Sequence, residues 1–188
     1  MKKLLLLLTS LALTLPGAAQ KTNFEGIEID GTPDEFCALL EAEGFERLEE
    51  EDDALMLAGE ALGQDECVVL VHSEANLVYA LTVGVMECES WDELEDTYFD
   101  LRDALEGEYG APADAAEYFD NLDADASDAA KFAALLSRQG ELSAWFSSDD
   151  GYVRLSVEIP DGYTPESCFI TLYYCNENNA EFEEDGEE

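Results

Sequence analysis

The chain predicts an α+β fold: a two-layer domain in which helices cover one face of an antiparallel sheet, built from two helix-plus-β-meander repeats. Three observations predict it. Apolar residues alternate with period two over residues 68–72, 77–85, 142–146 and 168–174, the pattern of half-buried strands. Two helix starts, Thr32-Pro33-Asp34-Glu35 and Ser90-Trp91-Asp92-Glu93, share one capping-box pattern. Each start is followed by apolar residues at helical spacing and then by strand patterns. The two starts lie at 32 and 90, an offset of 58 residues, which predicts an internal repeat.

The first nineteen residues are expected to be a secretory leader. Lys2 and Lys3 precede a leucine-rich run, and Pro16-Gly17-Ala18-Ala19 supplies small residues for cleavage near Ala19. The apolar run is too short to span a bilayer well. The expected destination is therefore secretion, most simply into a periplasm.

Residues 20–176 are then expected to form a single domain, with repeat one at about 24–88 and repeat two at about 89–176. Residues 24–30 alternate weakly and predict a short first strand. Thr32 caps a helix with Pro33 at its first position; Phe36, Leu39 and Leu40 form its buried stripe, and Gly44 stops it. Residues 45–50 and 54–61 follow as strands around the acidic turn 51–53. The central hairpin comes next, with 73–76 as a four-residue turn. That turn sets His72 opposite Leu77, Leu70 opposite Tyr79 and Val68 opposite Leu81, all on one face.

The second helix buries Leu94, Tyr98, Leu101 and Leu105 and ends at Gly110. Residues 113–120 are a strand or a loop. Residues 127–139 read as a helix started by Ser127, with a strand as the competing assignment. Asp150-Gly151 predicts a two-residue hairpin turn that sets Phe146 opposite Leu155. Residues 160–165 turn the chain into a last strand with Cys168, Ile170, Leu172 and Tyr174 inward. Residues 177–188 form an acidic tail.

Charge narrows the function. The sequence holds 46 acids and 8 bases, for a net charge of −38. Removing the leader with its two lysines leaves 46 against 6, hence −40. Such a chain repels phosphate backbones and anionic membranes, so neither nucleic acid nor an anionic surface is an expected partner. Weak cation binding and a basic protein partner fit the charge.

Chemistry-bearing motifs are sparse. His72 is the single histidine, so a multi-histidine metal site is not available. Residues 123–134 imitate a calcium loop but carry Asp128 where glycine is required and Ala134 where glutamate is required. No phosphate loop, dinucleotide fingerprint or nucleophile elbow occurs. No catalytic residue, cofactor site or metal site is therefore assigned. Trp145 shares a strand face with Ser143 and Ser147, and with Ser156 on the next strand. An aromatic on a polar face marks a partner contact, and packing under a loop is the plainer explanation. His72 is the second candidate contact. Trp91 reads as the anchor of the second helix.

Five cysteines, Cys37, Cys67, Cys88, Cys168 and Cys175, allow disulfides after export, and their pairing stays open. Cys67 with Cys88 is the local option, but a regular hairpin sets Cys67 beside Thr82 and leaves Cys88 well beyond it.

Three sequence blocks carry a resemblance: FEGIEIDGTPDEF, MECESWDELEDTYFDLRDALEGEYGAP, and SDDGYVRLSVEI with CFITLYY. They resemble a group of small exported proteins of Gram-negative bacteria, a group with no assigned activity. The duplicated plan looks like the β-lactamase-inhibitor-protein architecture. The resemblance implies export and this fold, and no chemistry. The expected function is an exported, periplasmic binding or interaction protein. The alternatives are a hydrolase-type or thiol-dependent enzyme using His72 with carboxylates or a free cysteine, and a low-affinity calcium binder.

Overall fold

The computed structural model describes residues 20–48, 55–123, 125–159 and 167–180. The expected leader, the expected turns at 51–53 and 160–165 and most of the expected acidic tail lie outside the described residues.

The chain opens with a small ribbon, β1 (Asn23–Phe24) and β2 (Ile27–Glu28), where one short strand was expected. Helix α1 (Pro33–Ala42) follows with both halves of its capping box closed. Glu35 N donates to Thr32 Oγ1 at 3.3 Å, and Thr32 N donates to Glu35 Oε2 at 3.2 Å. The chain then runs through β3 (Glu46–Arg47), β4 (Leu55–Ala61), β5 (Gln64–Glu74) and β6 (Leu77–Cys88). Helix α2 (Trp91–Tyr109) begins at Ser90, whose hydroxyl accepts from Glu93 N at 3.5 Å. Its box closes differently: the Glu93 carboxylate takes Glu89 N, one residue before the cap. Next come β7 (Asp114–Phe119), α3 (Asp128–Leu136), β8 (Gly140–Ser147), β9 (Gly151–Glu158) and β10 (Cys168–Asn176). Residues 113–120 are thus a strand, and the 127–139 stretch is a helix capped by Ser127.

Eight strands form one antiparallel sheet in the order β3-β4-β5-β6-β10-β9-β8-β7. Two runs of four sequence-adjacent strands meet where β6 pairs β10. The inner face of the sheet carries Leu57, Val69, Leu81, Val83, Phe146, Leu155, Ile170 and Leu172. These join Phe36 and Leu40 of α1, Leu94, Tyr98 and Leu101 of α2, and Leu135 of α3 in one buried cluster. Trp91 anchors α2 as expected, with its ring edge-to-face against Phe119 at 5.6 Å and Lys131 of α3 4.8 Å from its centre.

The central hairpin corrects the expected register. Its turn holds two residues, Ala75 and Asn76, both left-handed with φ of 48° and 65°. A turn of this hand matches strand twist better than the longer loop. Leu70 pairs with Thr82 and Val71 with Leu81, and an extra residue, Tyr79, bulges between the Val78 and Ala80 pairings. The odd shift separates residues expected to share a face: Val68, Leu70 and His72 point outward, while Leu81 points inward with Val69, Val71 and Val83. Both faces of this stretch are apolar, so alternation alone could not choose between them.

The β8–β9 turn, by contrast, is longer than expected. Ser147 pairs with Tyr152, leaving four residues in the loop. The Asp150 carboxylate is used elsewhere, accepting from Thr22 N at 2.7 Å and Thr22 Oγ1 at 2.9 Å. This register differs from the expected one by an even step, so Leu142, Ala144 and Phe146 stay inward as foreseen. The chain stays ordered past β10. Asn176 Nδ2 donates to Ile29 O at 2.9 Å, and Asn179 Nδ2 donates to Val78 O at 3.0 Å. Residues 177–179 therefore belong to the domain and not to a solvated tail.

Candidate functional site

The outer face of the sheet is where the expected contact residues meet. Pairing sets two adjacent rows across it. One row runs Leu70, Thr82, Tyr173, Arg154, Trp145 and Asp114, from β5 to β7. The next runs His72, Ala80, Cys175, Tyr152 and Ser147. The rings of His72 on β5 and Tyr173 on β10 flank small residues on β6. Ala80 and Thr82 are short enough for the His72 and Tyr173 rings to meet above β6.

The result is a continuous aromatic stripe. Ring centres lie 4.9 Å apart for Trp145–Tyr152, 6.0 Å for Tyr152–Tyr173, 6.1 Å for Tyr173–His72 and 6.1 Å for His72–Tyr79. Each distance is within the range of favourable ring contact. From β8 to β5 there are four strand steps of about 4.8 Å, so the stripe spans roughly 19 Å. All five rings are partly exposed. The row beside them is small and polar: Gly84, Thr171, Ser156 and Ser143. Ser156 Oγ and Thr171 Oγ1 share a hydrogen bond at 3.0 Å.

At the Trp145 end lies a cleft of about 400 Å³, lined by Asp114, Trp145, Ser147, Tyr152 and Glu177. Two carboxylates beside two rings suit a cation. One guanidinium already uses this ring: Arg154 lies 5.3 Å from the Trp145 ring centre.

His72 Nε2 shares a hydrogen bond with Thr82 Oγ1 at 2.8 Å, and burial holds its pKa below the ordinary value. The imidazole is therefore a neutral member of the stripe, not a residue of the hairpin tip. Cys175 is the cysteine nearest to it in the rows, with Ala80 between them. Burial raises the Cys175 thiol above its ordinary value. A nucleophile pair needs a thiolate within hydrogen-bond reach of the imidazole. This arrangement offers a protonated thiol two strand steps away, on the far side of β6.

Other expected sites fall apart in space or do not form. Cys67 donates to Ala61 O at 3.5 Å and flanks the Val68–Gly84 pairing, several residues from Cys88. Among the described residues, no group of three or more His, Cys, Asp or Glu side chains is placed to hold a metal ion. In the calcium-like loop Asp128 instead pairs with Lys131 at 3.6 Å. Among the described residues, no helix is long and apolar enough to cross a membrane.

The sequence singled out Trp145 and His72 one at a time, as candidate contacts. It gave no notice that Tyr152, Tyr173, Tyr79 and Arg154 share their face. The signal for Tyr173 was present, since an inward Leu172 and Tyr174 turn it outward. What joins the five rings into a stripe is strand order, which local pattern does not carry.

No protein-family model matches the chain, and neither does any curated protein or solved structure.

Proposed function

We propose that this is an exported binding protein that holds a basic, extended segment of a partner polypeptide on the outer face of its sheet. The observation that carries this reading is the aromatic stripe, set on a chain of net charge −38. Aromatic rings give contact area and cation–π attraction, and carboxylates at the cleft give charge complementarity. An extended chain presents alternate side chains every ~6.7 Å, close to the ring spacing of the stripe.

The same reading takes the chain as two helix-plus-meander copies joined side by side. The strand order supports it, because sequence-adjacent strands pair within each run of four, with α3 inserted between β7 and β8, and the runs abut at their last strands. The leader pattern of residues 1–19 supports export. A thiol enzyme has less support, given the raised Cys175 thiol and its distance in the rows from His72. A calcium binder has less support, given the Asp128–Lys131 pair.

The test is calorimetric titration with a short peptide of alternating arginine and serine, beside one of alternating glutamate and serine. The arginine peptide should bind, and binding should weaken as salt screens the charges. Trp145→Ala should cost about 2 kcal/mol, roughly 30-fold in affinity, as for a central aromatic contact. Arginine-peptide binding that ignores Trp145→Ala would overturn the assignment of this face.

A further inference from the structure

Cys88 and Cys168 are directly opposed residues on β6 and β10. Both are fully buried. Cys168 Sγ donates to Cys88 O at 4.0 Å. We propose that this pair is a disulfide site, closed when the chain folds in the presence of a disulfide oxidant, and that it joins the two four-stranded halves covalently at their seam.

The argument is geometric. Opposed residues of an antiparallel pair have Cα separations of about 4.5 or 5.5 Å, depending on the pair type. Both values fall inside the window that a disulfide spans, about 4.4–6.8 Å. The two side chains must turn toward each other and the strands draw slightly together, because opposed Cβ atoms lie about 4.5–5.5 Å apart and a disulfide holds them at about 3.5–4.5 Å. The neighbouring sheet cysteines lack this placement. Cys67 pairs with Gly59 on one side, and Cys175 is opposed by Ala80 and Tyr152. The seam is also where a bond constrains most. The two residues are 80 apart in sequence, and β6 with β10 is the pairing that unites the two halves of the sheet.

The chemistry balances with a glutathione-class disulfide as oxidant. One thiolate attacks the oxidant, forms a mixed disulfide and releases one glutathione thiolate. The second thiolate then attacks the mixed disulfide at the protein sulfur and releases the second glutathione. Two protein thiols lose two electrons and two protons, and the oxidant gains them. Burial fits formation during folding, before the core closes over the pair. Only the natural source of the oxidant rests on export, so the bond can be tested without it.

The full chain, denatured with a reductant, is refolded in a glutathione redox buffer and its remaining thiols are alkylated. Digestion without reduction uses a glutamate-specific protease with chymotrypsin. Glutamates separate Cys67 from Cys88, and Phe169, Tyr173 and Tyr174 separate Cys168 from Cys175. The expected result is one linked peptide pair holding Cys88 and Cys168, with the other three cysteines alkylated. Cys88→Ala and Cys168→Ala should each abolish the link, and Cys67→Ala and Cys175→Ala should each keep it. The oxidised protein should melt higher than the reduced one by on the order of 10 °C. Alkylation of all five cysteines, or a link through Cys37, Cys67 or Cys175, would overturn the proposal. A correct link in refolded protein that fails to be secreted would overturn export and leave the disulfide site standing.

Discussion

Gly151 sits where β9 meets the end of β10, directly opposite Asn176. A methyl group at this position would be built onto the Cys175 carbonyl oxygen. It would also lie 2.9 Å from the Cys175 carbonyl carbon and 3.1 Å from Glu177 N. All three are backbone atoms, so no side chain can rotate away. Relief to ordinary contact requires the strands to part by more than an ångström, which weakens the last ladder bonds and shifts Tyr152 against Tyr173. Overpacking of this kind costs about 1–3 kcal/mol, and rigid neighbours favour the upper end. Gly107 is the control. It lies within α2, and a methyl there meets nothing within 4 Å. Replacing a helical glycine by alanine adds about 0.5–1 kcal/mol of stability. The same chemical change should therefore have opposite signs at the two positions. Urea unfolding of Gly151→Ala and Gly107→Ala, at fixed redox state, measures both. Equal midpoints for Gly151→Ala and the unsubstituted protein would refute the close approach of β9 and β10.

Three further outcomes are expected. Thr32→Ala should cost about 1 kcal/mol, because the α1 box is closed on both sides, and Ser90→Ala should cost less at its 3.5 Å contact; a larger loss at Ser90 in urea unfolding would contradict this. His72 carries a pKa depressed by burial among Tyr79, Tyr173 and Thr82. The unfolded chain thus takes up its proton first as pH falls, and the stability tied to the neutral ring is present above about 6.5 and lost below it through the folded value. The unsubstituted protein should lose more stability than His72→Gln on acidification from pH 7, and parallel pH–stability curves would show that the burial has no such effect. Reduction should lower the melting temperature of protein refolded with glutathione and leave that of Cys168→Ala unchanged, and a shift in both would assign the effect to another bond.

Much of the fold could be read from local signals. Caps at Thr32, Ser90 and Ser127, stops at Gly44 and Gly110, and alternation in β8, β9 and β10 gave the helices and most strands. The hairpin register could not be read, because it rests on positive φ at Ala75 and on a bulge at Tyr79. Ala75 carries no sequence mark for that conformation. The Asp150-Gly151 turn failed for another reason: a distant residue, Thr22, claims the aspartate. The site was legible as single residues only. Trp145 and Tyr173 are 28 positions apart in the chain, and they join one stripe because β9 lies between β8 and β10.

The central claim is one of location, since a chain this acidic could attract a basic peptide almost anywhere. Backbone amide shifts should be mapped while the arginine–serine peptide is added at moderate salt. The account predicts the largest changes at Trp145, Tyr152, Arg154 and Tyr173, with Trp145→Ala removing them. Changes spread along the acidic surface of α2, with those four amides silent, would contradict it.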